Sequence, residues 1–176
     1  MSFPYPKTAI CARFSHEGLA DLLHLSLRVV EPDIYEPRDP PVVQRVLLPM
    51  YGTFDPLPDM ICWLEALTCQ VQEATWWWDF EGPVFAVTST HRRLIIEDRI
   101  TGEMLLNVTV FREQLIAALY CALRRFAMSK RYRSVRWEPC GGVPIPLLTS
   151  EMIERYIRER SSDLVEQERR FANTGC

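Results

Sequence analysis

Only three histidines, at positions 16, 24 and 91, are spread over the 176 residues, and none stands in a recognised nucleophile context. A cysteine hydrolase needs a thiolate paired with a histidine, so nothing in the sequence marks one. The seven glycines are too few and too scattered for a GxGxxG or Walker phosphate loop, and the G-x-S-x-G of a nucleophile elbow is absent. The six cysteines, at 11, 62, 69, 121, 140 and 176, contain no CxxC pair. Cys62 and Cys69 are seven apart on an expected helix and could share a face, but two thiols do not make a zinc site. A basic excess is also missing. The net charge is -3, and the one basic run, Arg124 to Arg136, falls at a helix end where cations offset the helix dipole. The apolar runs are too short to span a bilayer. Met1 to Pro6 offers neither the basic n-region nor the apolar h-region of a secretory leader. These absences lead us to expect a cytoplasmic protein that binds no metal, cofactor, nucleic acid or membrane. Its cysteines are expected to be reduced and mostly buried, with Cys176 exposed.

What is present is a well-patterned globular chain. A chain of this length can bury roughly two-thirds of its unfolded surface, so it needs no disulfide or metal to stay folded. Thr8 to Phe14 reads as a strand, followed by a turn at His16-Glu17-Gly18. Leu23, Leu25, Leu27 and Val29 alternate with His24, Ser26 and Arg28, the period of a half-buried strand. Glu31 to Pro41 carries four prolines and must be a loop, and Val42 to Leu48 is a further strand. Asp55-Pro56-Leu57-Pro58-Asp59 is a helix start, because prolines are tolerated in the first turn and carboxylates suit the positive end. Ile61, Leu64 and Leu67 continue it for about three turns. Ala74–Phe80, Val84–Thr88, Leu94–Asp98 and Met104–Val110 then follow with short connections, one of them a turn carrying Gly102, which predicts an antiparallel meander.

Leu115, Leu119, Ala122, Leu123 and Phe126 form the single apolar stripe of the strongest helix. After a linker at Cys140 to Pro146, Thr149 is placed to cap a last helix with Glu151 in its first turn. The fold class that follows is α+β: an antiparallel sheet of about six to seven strands, with the meander in the middle, packed against two or three helices. Residues 1–140 are read as one domain, with 141–176 as a linker and a helix packing on it or extending from it.

Three features invite a functional reading. Asp79 and Glu81, two apart at a strand end, share a face as paired carboxylates for acid–base work would. The plainer reading is a solvated strand end before the Glu81-Gly82-Pro83 turn. Trp76-Trp77-Trp78 must alternate, so that one face is core and the other presents a large aromatic surface, unless helices cover both. Glu31, Asp33, Glu36 and Asp39 make the proline-rich loop acidic, as a plain surface connection or as a negative arm toward a basic partner.

The order of elements adds a resemblance. A helix containing Trp63-Leu64-Glu65-Ala66-Leu67 precedes an aromatic strand ending in Asp79-Phe80-Glu81-Gly82, and the meander follows. Phe111-Arg112-Glu113-Gln114-Leu115 then opens a helix that ends in Phe126-Ala127-Met128-Ser129-Lys130-Arg131-Tyr132. This order, over about residues 55–132, resembles small bacterial immunity proteins encoded beside polymorphic toxins, including type VI secretion effectors. In these, a W-L-E helix, a D-x-E-G strand end and a late F-Y-rich helix recur. The resemblance implies a non-enzymatic inhibitor that occludes a cognate toxin's active site or locks an inactive form. It marks Glu65, Asp79, Glu81 and Gly82 as motif positions, with Glu65 alternatively an internal cap or pair and Gly82 a turn residue. Partner contacts are then expected at Trp76, Trp77, Trp78, Asp79 and Glu81, and at Glu31, Asp33, Glu36 and Asp39. The alternatives are a small intracellular enzyme using the paired carboxylates or a cysteine, and a regulatory or scaffold subunit.

Overall fold

The computed structural model describes residues 9–16, 23–31, 42–50, 56–79, 83–129 and 148–160. Three strands come first: β1 (Ala9–His16), β2 (Leu23–Glu31) and β3 (Val42–Met50). They form an antiparallel sheet with β2 in the centre. The alternation in β2 sends Leu25, Leu27 and Val29 to the buried face, where their register partners Phe14, Ala12 and Ile10 on β1 and Leu48 and Val46 on β3 join them.

Helix α1 (Leu57–Thr68) begins at the expected prolines. Pro56 is its N-cap residue, and its carbonyl accepts the Met60 N–H at 3.0 Å. Pro58, in the first turn, has no N–H to leave unpaired. The helix closes through Cys69, and Gln70 then takes a left-handed φ of 57° that a glycine more often supplies. The meander follows as β4 (Glu73–Asp79), β5 (Val84–Thr90), β6 (Arg93–Asp98) and β7 (Met104–Thr109). Its turn between β6 and β7 is an Asx turn. The Asp98 Oδ1 accepts the N–H of Ile100 at 2.8 Å and of Thr101 at 3.3 Å, and Gly102 supplies the positive φ of 73°.

Helix α2 (Arg112–Ala127) and helix α3 (Glu151–Glu159) complete the described fold, which is α+β. Two features differ from expectation. The seven strands form two sheets rather than one, with α1 inserted between them in the chain and β7 brought against β3 and β2. Helix α2 buries more than its one stripe, since Ile116, Tyr120 and Ala127 are also inside. It lies against β1, where Phe126 stacks on Phe14 with centroids 5.1 Å apart, and it also meets α1 and α3. A helix with neighbours on several sides buries a broad face and not a seam. Among the described residues no helix is long and apolar enough to cross a membrane.

Candidate functional site

β4 resolves the tryptophan triplet by strand parity. Trp76 and Trp78 are 3% and 1% exposed, and Trp77 is 56% exposed. The inward pair belongs to the core: Trp76 and Trp78 lie 4.8 Å apart between centroids, and Trp63 of α1 stacks on Trp76 at 5.9 Å. The Trp63 indole N–H donates to the Ala74 carbonyl at 3.1 Å, which ties α1 to β4. Trp76 and Trp78 therefore have no surface to offer a partner. Of the three tryptophans expected to make contacts, only Trp77 presents surface.

The surroundings of Trp77 were not foreseen. Its register partner on β5 is the small Ala86, followed across the sheet by Glu97 on β6 and Met104 on β7. A register shift at Ile96/Glu97 turns Met104 outward, whereas Leu106 two residues on is buried. Arg99 lies with its guanidinium 5.9 Å from the Trp77 ring centroid and donates to the Glu97 carboxylate at 3.0 Å. Ile100, at the tip of the Asx turn, is 67% exposed and Met104 57% exposed. Trp77, Arg99, Ile100 and Met104 thus crown one end of the meander. Large apolar side chains and an arginine exposed together are the composition of an interface core. The sequence signal for the addition was an isoleucine inside a turn.

The acidic candidates lie mostly elsewhere in the chain. Glu31 is the last residue of β2, opposite Val42, and Asp79 the last of β4, opposite Val84; the description there covers backbone alone. Asp33, Glu36, Asp39, Glu81 and Gly82 lie outside the described residues.

Glu65 has an internal role. Its carboxylate accepts from the Ser150 hydroxyl at 2.6 Å, while the same hydroxyl accepts the Ile153 N–H at 3.2 Å. Ser150, not the exposed Thr149, is therefore the N-cap of α3. The Ser150 N–H donates to the Tyr120 hydroxyl at 3.0 Å, and that hydroxyl donates to the Glu154 carboxylate at 2.9 Å. One polar chain so links α1, α2 and α3 at their junction.

Removal from water pushes the Tyr120 phenol up to about 12, with the Ser150 N–H opposing and Glu154 reinforcing the shift. The folded state holds this proton more tightly than the unfolded chain, whose phenol titrates near 10.0. The associated stability is intact below that value and is lost as pH rises toward about 12. Tyr120→Phe is expected to lower stability at neutral pH and to flatten the alkaline decline, read as urea midpoints across that window. Tyr156, also raised by burial, keeps part of the slope.

His24 lies on the polar side of β2, with its Nδ1 buried and unpartnered among the described residues, and His91 is exposed in the β5–β6 turn. The described cysteines are not buried as expected: Cys62 and Cys69 are exposed, and Cys11 and Cys121 half-buried. Cys62 lies on the outer side of α1 and Cys69 at its end, positions that the helix does not turn toward the core. No group of His, Cys, Asp or Glu among the described residues could hold a metal ion. In comparisons with known proteins, no family model, curated protein or solved structure matches the chain.

Proposed function

We propose that this chain is an immunity protein that binds a cognate bacterial toxin in the cytoplasm of the producing cell and neutralises it by covering its active site or holding it inactive. The observation that carries the reading is the exposed Trp77 indole with the Arg99 guanidinium beside it, on the end of the meander where Ile100 and Met104 are also exposed. A tryptophan held by a sheet loses little side-chain freedom on binding, so it is suited to be an anchor. The order of helix, aromatic strand, meander and helix around it supports the same reading.

The test is co-expression with the toxin encoded by the neighbouring gene, followed by isolation of a complex and a growth-protection assay. Trp77→Ala is expected to weaken the complex by about 2 kcal/mol or more, roughly thirtyfold in affinity, and to reduce protection. A chain that neither binds that toxin nor protects cells would overturn the proposal.

A further inference from the structure

The outward face of the first sheet has a character that the toxin-binding reading did not use. Strand parity places Arg13, Arg28 and Arg45 on it, opposite the buried Leu25, Leu27 and Val29. Arg45 and the half-buried Arg28 are direct register partners, and Arg13 lies one row away, beside Ser26, whose hydroxyl accepts from the Arg45 Nε at 3.4 Å. No aspartate or glutamate occupies an outward position in the described residues of these strands. On β3, Val43 and Leu47 flank Arg45 on the same face, and both are exposed. The face is thus basic and partly aliphatic on a chain whose net charge is -3.

We infer that the outer face of β1–β2–β3 is a docking surface for an acidic protein surface, with Arg13 and Arg45 as charged contacts and Val43 and Leu47 as apolar ones. The inference rests on the toxin-binding reading and specifies the chemistry of the partner: the cognate toxin carries a carboxylate-rich patch where it meets this face. Opposite charge steers encounter and fixes orientation, while the aliphatic pair supplies area that leaves water. A nucleic acid fits less well, since the exposed Val43 and Leu47 that flank Arg45 gain nothing from phosphates, whereas a protein surface can cover them. A second copy of the same face would set arginine against arginine.

The experiment measures affinity for the neighbouring-gene toxin at low and at physiological salt, with the wild type, R13E/R45E, R13Q/R45Q and Trp77→Ala. Arg13 and Arg45 are exposed, so both double variants are expected to melt as the wild type does. Charge reversal is expected to weaken binding about tenfold or more at low salt, neutralisation less, and both to flatten the salt dependence. A complex that forms with the wild type, responds to Trp77→Ala and ignores both arginine variants would overturn this inference and leave the proposed function standing. No wild-type complex would overturn both. Binding of labelled duplex DNA or single-stranded RNA that R13E/R45E abolishes would reassign the face to nucleic acid. Arginine-dependent self-association would reassign it to a dimer contact.

Discussion

Trp78→Ala is expected to destabilise the protein by about 3–5 kcal/mol, while Trp77→Ala, one residue away, changes stability by no more than about 0.5 kcal/mol. The contrast follows from parity alone. Trp78 is 1% exposed and its ring packs against Trp76 at 4.8 Å, so truncation removes apolar surface from the core and leaves a cavity behind it. Trp77 is 56% exposed and faces Ala86 across the strand pair, so truncation opens no void. The measure is the urea midpoint with an unchanged m-value. Since domains of this kind are stable by about 5–15 kcal/mol, the Trp78 variant should be studied at low temperature, where a folded baseline remains. Equal losses at the two positions would mean that β4 is turned over relative to the sheet. The pair also separates recognition from folding: binding should fall in Trp77→Ala at nearly full stability.

Much of this was legible in the residues. The alternation of Leu25, Leu27 and Val29, the prolines that open α1, and the short connections of the meander each report a local constraint, and each element lies within a few residues of its expected place. Parity also announced that the tryptophans must divide between two faces, though not which face the core would take. That choice depends on α1 and its Trp63, which approach β4 from one side. What was not legible is non-local. Period-two patterning says in or out but not which strand neighbours which, so the division into two sheets did not show. Thr149 and Ser150 are both good capping residues, and the choice falls to Ser150 through a contact with Glu65, 85 positions earlier. Met104 reaches the surface through a register shift, and Arg99 reaches Trp77 through the geometry of a turn. The candidate surface was therefore half visible: its anchor followed from strand parity, and its surround from irregularities that no periodicity encodes.

Ser150→Ala carries the second large effect, an expected loss of about 2–4 kcal/mol. The hydroxyl serves two partners at once. As N-cap it accepts the Ile153 N–H at 3.2 Å, an interaction whose removal costs about 1–2 kcal/mol. As donor it meets the Glu65 carboxylate at 2.6 Å, and a hydrogen bond to a charged group contributes about 1.5–3 kcal/mol. Glu65 is half-buried, so water recovers part of the second contribution and the sum falls short of simple addition. Glu65→Ala alone should cost less than Ser150→Ala, because the cap survives it. The double variant should cost less than the two single losses combined, by about 1 kcal/mol, in a double-mutant cycle read from urea midpoints. Strict additivity would mean that the contact holds α1 and α3 together in geometry without energy. The same variants decide what the W-L-E helix is for. Glu65 faces Ser150, so Glu65→Ala is expected to lower stability while leaving toxin affinity at its wild-type value under conditions where the chain is fully folded. Loss of affinity at full folding would make Glu65 a contact residue and move the interface from the meander to the helix junction.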